Sequence, residues 1–227
     1  MHYLISDIHG DYEHFIEILN LIHLQEEDEL YILGDLMDRG KDSFKLLQYV
    51  MDHKNIKLIK GNHELFYELN YERKLTTTAW CRMGGLYSVS ELASLSSEEK
   101  EKYYQFVKGL PHYIKINVKN KDYFLCHSGV RETGRVMEGK VIKVKESIDS
   151  QIANNEFIYL CDADMYKIGK KWKFDETMIV GHFPTLNYGR PKIYKGNFID
   201  IDTGNGYRHH GGILTVLRLE DFKHWSV

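Results

Sequence analysis

Proline is scarce in this chain, with three residues in 227. With so few breakers and no Gly/Ser-rich run, nothing reads as a flexible linker, and a single domain over residues 1–227 is expected. Cysteine is equally scarce, and Cys81, Cys126 and Cys161 stand far apart. An odd number without a CxxC pair gives neither a zinc knuckle nor a closed disulfide framework, and it points to a reducing, cytoplasmic setting. No apolar run approaches membrane-spanning length, and Met1 leads into the strand-like HYLIS without a charged leader. Neither a signal peptide nor a membrane partner is therefore expected. Charge of one sign is missing too, since the formal net is only −3. A dedicated nucleic-acid binder carries a basic face, so nucleic acid is not an expected partner, whereas a phosphoprotein or small phosphoester held by local charges is. Repeats and low-complexity tracts are absent, which leaves a monomeric globular chain long enough for a sizeable core.

What is present is a regular alternation. YLIS, ELYIL and NIKLIK read as strands, separated by helical stretches in which Phe15, Ile18, Leu19 and Ile22, then Leu47, Val50 and Met51, recur on one face. Alternation of this kind implies βαβ units and an at least partly parallel sheet. Residues 65–110 look helical and more polar, with a capping box at Ser96 and Glu99. They read as a helical insertion beside the sheet, either a partial cap or ordinary packing helices. Strands dominate afterwards: HYIKINV, DYFLC, TMIVG, KIYKG, FIDID and ILTVLRL. The fold class is α/β shading into α+β.

The chemistry sits where strands end. YLIS runs into Asp7-Ile8-His9-Gly10, YIL into Gly34-Asp35, KLIK into Gly61-Asn62-His63-Glu64, YFLC into His127-Ser128-Gly129, and MIV into Gly181-His182. A lone Asp or Asn after a strand is usually a turn former. Five strands that each end in a metal-type ligand are not explained that way, because carboxyl ends of strands in an open sheet gather along one edge where ligands bind. Asp7, His9, Asp35, Asn62, His127 and His182 offer oxygen and imidazole without thiolate, a set suited to manganese first, with iron or zinc also accommodated. Six side chains are too many for one catalytic ion, and they suit two ions sharing a carboxylate.

The motifs DIHG, GDLMDRG, GNHE, HSG and GH, in this order and with these intervals, closely resemble the phosphoprotein phosphatase branch of the calcineurin-like metallophosphoesterases. The nearest likeness is to the small bacterial and phage serine/threonine phosphatases, and it extends from Asp7 to about Asp221. The resemblance implies a four-layer fold, a central β-sandwich flanked by helices, with two divalent ions at its top edge. By it, Asp7 and His9 hold the first ion, Asp35 bridges both, and Asn62, His127 and His182 complete the ligands of the second ion. His63 is then the general acid, oriented by Asp38, with Arg39 gripping the phosphate. A metal-bridging water that loses its proton near neutral pH would be the nucleophile. Imidazole titrates in the range needed to protonate a departing alkoxide, and guanidinium matches two phosphate oxygens.

Two departures stand out. Family members commonly carry a second phosphate-gripping arginine between the late histidine motifs, yet the stretch FIYLCDADMYKIGKKW has none, and Asp162 and Asp164 bring negative charge instead. The loop GNGYRHHGG is the other: it reads either as an ordinary polar, glycine-rich turn or, since Gly204, Gly206, Gly211 and Gly212 would let it fold inward, as a loop that brings Tyr207 and Arg208 to the substrate. A related branch, which hydrolyses diadenosine tetraphosphate, tends to have Asp after GNH and to lack the Asp before the arginine of DRG. Glu64 and Asp38 therefore favour the protein-phosphatase side. The expected function is hydrolysis of phosphomonoesters, phosphoserine and phosphothreonine above all. Dinucleoside polyphosphates or other small phosphoesters are the alternative substrates, and a non-catalytic phosphate-binding module is the third reading.

Overall fold

The computed structural model describes every residue except Ala163, Asp164, Arg190 and Pro191, with Tyr188 described by its backbone alone. Asp164, one of the two acids noted above, thus lies outside the described residues. In chain order the first half comprises β1 (His2–Ile5), α1 (Tyr12–Ile22), β2 (Glu29–Ile32), α2 (Ser43–Asp52) and β3 (Ile56–Leu58), then α3 (Asn62–Tyr71), α4 (Thr77–Trp80), α5 (Leu86–Ser94) and α6 (Ser97–Lys108). The second half comprises β4 (Tyr113–Val118), β5 (Lys121–Cys126), β6 (Val136–Glu138), β7 (Val141–Lys143), α7 (Val144–Asp162), β8 (Lys173–Phe174) and β9 (Thr177–Val180). It closes with β10 (Tyr194–Lys195), β11 (Ile199–Asp200), β12 (Thr215–Arg218) and β13 (His224–Ser226).

Two five-stranded sheets, ordered β13-β12-β1-β2-β3 and β10-β11-β9-β5-β4, lie beside a small sheet β6-β7-β8. Within the first, β1, β2 and β3 are parallel; within the second, β5, β9 and β11 are. The period-2 alternation of strands divides their side chains between two faces. Leu4 of β1 joins Leu125 of β5 and Ile179 of β9 in the apolar layer between the sheets. Its neighbours Tyr3 and Ile5 face the other way, onto Phe15, Ile18, Leu46 and Trp80 from the helices. On the far side, Phe124 and Met178 meet Ile148, Tyr159 and Leu160 of α7. Three apolar seams thus separate four layers.

The long α7 and the sheet β6-β7-β8 interrupt the stretch expected to be strand-dominated. The helix is kinked at Asn155, whose backbone is extended at φ −165°, ψ 100°. Its two halves bury different faces, so no single 3.6-residue period runs through the sequence. No helix among the described residues is long and apolar enough to cross a membrane.

Candidate functional site

Because β1, β2 and β3 are parallel, as are β5 and β9, the five ligand-bearing ends emerge along one edge. Backbone bonds carry the pairing past the strands: Asp7 N–H donates to Gly34 O (3.1 Å), His9 N–H to Asp35 O (3.0 Å) and Gly10 N–H to Leu36 O (2.8 Å). The two sheets meet at this edge, where His182 N–H donates to Asp7 Oδ2 (2.9 Å) and His127 Nδ1 to Leu33 O (2.8 Å). Gly34 is required by space and by backbone conformation. It has φ +86°, and a Cβ there would fall 2.6 Å from His127 Nδ1 and 2.8 Å from Gly61 Cα. Asp7, His9, Asp35, Asp38, Arg39 and His182 also adopt positive φ, between 52° and 72°. Such residues cost about 1 kcal/mol or more apiece and gather where the surrounding structure over-determines them.

Among the described residues, two groups of ligand atoms lie close enough to share an ion: His9, Asp35 and His63, and Asp35, His127 and His182. Asp35 belongs to both. Its Oδ2 lies 3.9 Å from His9 Nε2 and 3.8 Å from His63 Nε2, while its Oδ1 lies 3.3 Å from His127 Nε2. Asp7 Oδ1 approaches His9 Nε2 at 3.9 Å, and Asn62 Oδ1 lies 2.9 Å from His127 Nε2. With Nδ1 of His127 donating to a carbonyl, its Nε2 carries a lone pair that faces two further acceptors at 2.9 and 3.3 Å. That is the spacing of neighbouring ligands around an ion at about 2.1 Å.

The electrostatics agree with a cation site. Burial pushes the Asp35 carboxyl well above the usual carboxylate range; His63 opposes this, while Asp7 and Glu64 add to it. Burial also pulls His9 well below the ordinary histidine value, helped by Arg39 and His63. His182 is lowered by burial and then by His127 and His63. Neutral imidazoles beside strained carboxyls are what a divalent ion would use. The ring of His9 is held by Met37 O (3.1 Å), and that of His182 by the Cys161 carbonyl.

His63 differs from the other imidazoles. Its Nδ1 bonds Asp38 Oδ2 at 2.7 Å, so Nε2 faces the cluster centre. Burial pulls its pKa down, but Asp35 and the hydrogen-bonded Asp38 outweigh that and leave it raised. Asp38 in turn accepts from Trp80 Nε1 (2.8 Å) and Ser88 Oγ (2.5 Å). Neither Trp80 nor Ser88 stands out in the sequence, because both lie in the polar helical stretch away from any motif. Glu64 accepts from the backbone N–H groups of Asp35, Leu36, Met37 and Gly61, between 2.8 and 3.2 Å. It clamps two loops together and, like Asp38, is fully buried.

The 204–212 loop reaches the site. A Cβ on Gly206 would press on His9 and fall 2.8 Å from Arg39 Nη1, and Tyr207 lies against Arg39 with its ring 4.4 Å from the guanidinium carbon. Arg208 is less free, since Nη1 donates to Asn205 Oδ1 (2.8 Å) and Val227 O (3.1 Å). It lines a cleft of about 260 Å³ with His9, Arg39, Lys41 and His209. The clefts of about 670 and 710 Å³ open elsewhere and touch none of the five ligand-bearing strand ends. Arg131, four residues after His127, is a cation not singled out in the sequence. It pairs with Asp162 at 2.7 Å, next to the Cys161 that holds His182.

Comparison with known proteins agrees with this geometry. A family profile described as calcineurin-like phosphoesterase matches residues 3–223. A symmetrical bis(5'-nucleosyl)-tetraphosphatase of Wigglesworthia glossinidia brevipalpis is 43% identical over 74 residues, covering 32% of this chain and only 27% of that relative. A candidate diadenosine tetraphosphatase of solved structure superposes with a TM-score of 0.63 at 19% identity, over 100% of this chain and 92% of its own. A protein serine/threonine phosphatase from Saccharomyces cerevisiae does so with a TM-score of 0.60 at 16% identity, over 95% and 71%.

Proposed function

The chain belongs to the calcineurin-like phosphoesterase family, and from that premise we propose a dinuclear metal-dependent phosphatase acting on phosphoserine and phosphothreonine in proteins. The hydrolytic part follows from a buried carboxylate shared by two ligand clusters. The choice of a protein substrate rests on the rim. Of eight exposed large apolar side chains among the described residues, five are Leu86, Tyr87, Phe157, Ile158 and Tyr207. Leu86 and Tyr87 follow Gly84, which lies against Arg39 and His63. Phe157 contacts Phe66, which packs on His63, and Tyr207 covers Arg39. An apolar rim around a polar centre suits a peptide flanking the phosphorylated residue.

Two divalent ions, manganese on this ligand set, would be held by Asp7, His9, Asp35, Asn62, His127 and His182, and would supply an acidic water and neutralise phosphate charge. Arg39 grips phosphate oxygens with its planar fork, kept flat by Tyr207. Arg208 adds charge from the cleft wall. His63 Nε2 then gives its proton to the leaving alkoxide, while Asp38 keeps Nδ1–H in place. We take residues 1–227 to work as one domain, monomeric and cytoplasmic, a setting in keeping with three unpaired thiols.

The second reading, a dinucleoside polyphosphatase, is favoured by the exposed Tyr207 ring, on which a base could stack, and by the nucleosyl-tetraphosphatase relative. Glu64 and Asp38 decide little between the two, since both are buried away from substrate. Side-by-side kcat/KM on a phosphoserine peptide and on diadenosine tetraphosphate separates them: the peptide is expected to win by about tenfold or more, and the reverse order supports the nucleotide reading. Arg208→Ala should raise KM for the preferred substrate with ion content unchanged.

A further inference from the structure

Besides the contacts of Gly84 with Arg39 and His63, the helical stretch 77–94 meets the site at one carboxylate. Asp38 is fully buried and fixed at every face: Oδ2 lies between His63 Nδ1 (2.7 Å) and Trp80 Nε1 (2.8 Å), and Oδ1 accepts from Ser88 Oγ (2.5 Å). Its backbone N–H donates to Ser43 Oγ (2.9 Å), which bonds Ser88 Oγ at 2.8 Å. Glu91, one turn beyond Ser88, accepts from the backbone N–H groups of Ser43 (2.8 Å) and Phe44 (3.1 Å), which locks α5 onto the start of α2. Trp80, Ser88 and Ser43 are all fully buried.

A carboxylate turns freely about its side-chain torsions unless its lone pairs are claimed. With only His63 as donor, Asp38 would have two acceptor positions unsatisfied in a dry environment, a costly state that is relieved by rotation away from the ring. The donors on α4 and α5 remove that alternative.

We propose that Trp80 and Ser88 are positioning residues for proton donation: they fix the Asp38 carboxylate, and so aim His63 Nε2 at the leaving oxygen. On this view the helical stretch supports the site from beneath as well as lending Leu86 and Tyr87 to its rim. The inference rests on the role given to His63 above, and its test keeps the two apart.

Trp80→Phe keeps the ring and loses the N–H, and Ser88→Ala loses the hydroxyl. Each should lower kcat on a phosphoserine peptide by about tenfold, yet change kcat on p-nitrophenyl phosphate, whose leaving group needs no proton, by less than about twofold. KM and bound divalent ion should stay as in the parent protein. In an Asp38→Asn background either substitution should add almost nothing, because the carboxylate through which it acts is gone. Equal losses on both substrates, or additive losses in the Asp38→Asn background, overturn the proposal and leave a purely structural role. If His63→Asn shows no leaving-group dependence, the general-acid reading has failed. If His63→Asn shows it while both positioning variants do not, only this inference has failed. Should Trp80→Phe not fold, Ser88→Ala decides alone.

Discussion

Asp38 and Arg39 sit on one turn with left-handed backbones, φ 69° and 64°, and deliver a carboxylate and a guanidinium to adjacent points of the site. An aspartate tolerates that conformation better than an arginine does. At Arg39 it is held by the N–H bond to Gly84 O at 2.9 Å. The sequence shows which side chains arrive, since Asp7, His9, Asp35, Asn62, His127 and His182 all follow apolar runs. It does not show the strain, which tertiary contacts impose and no local pattern encodes. It hides Trp80 for the same reason: a buried tryptophan in a polar helix looks like ordinary core. A pH profile tests the carboxylate at this scale. As the proposed proton donor, His63 would act only while protonated, so kcat should fall as pH rises through its raised pKa. Asp38→Asn keeps an acceptor but removes the charge that favours imidazolium, so the alkaline fall should move to lower pH. A limb that stays where it was would contradict the pairing.

Among the elements, α1, α2 and α6 are legible because each has one apolar face with one period, and the strands of both five-stranded sheets apart from β13 because they read as short apolar-rich runs. The helix α7 is not. Asn155 ends its first half in an extended backbone and restarts the second by accepting from Ile158 N–H at 2.9 Å. The restart turns Tyr159 and Leu160 inward and places Cys161 against His182. Helix N-caps are worth about 1 kcal/mol, so Asn155→Ala should lower unfolding stability by roughly that amount, and Asn155→Asp should retain most of it. Urea denaturation measures the difference. An unchanged midpoint in Asn155→Ala would mean that packing of the second half alone sets the kink.

For the molecule as a whole, the alternation of elements announces a partly parallel sheet and only the family resemblance implies the four layers, while the small sheet β6-β7-β8 is too short to announce itself. Asp35 ties stability to ions and to pH. Its pKa is raised by burial, so the ion-free fold keeps a proton that the unfolded chain releases above about pH 4. The stability it contributes is therefore full below that value and declines as pH rises toward the raised one. A divalent ion at the proposed centre would compete with that proton. Manganese at a hundredfold excess over its Kd should thus stabilise the fold by roughly 2.7 kcal/mol, and the accompanying rise in Tm should be larger at pH 7.5 than at pH 5.5. Asp35→Asn should lose most of that gain in a thermal scan with and without ion; a full gain in the variant would remove Asp35 from the centre. The bond between His182 N–H and Asp7 Oδ2 spans 175 positions of the chain, and this gives the centre an order of assembly. On a ribosome adding about 5–20 residues per second, His9, Asp35 and His63 have all been made while His127 and His182 are still to come. The residues of the first cluster are thus made seconds before His127 and His182, so the proposed two-ion centre cannot be completed until both late strand ends have been synthesised.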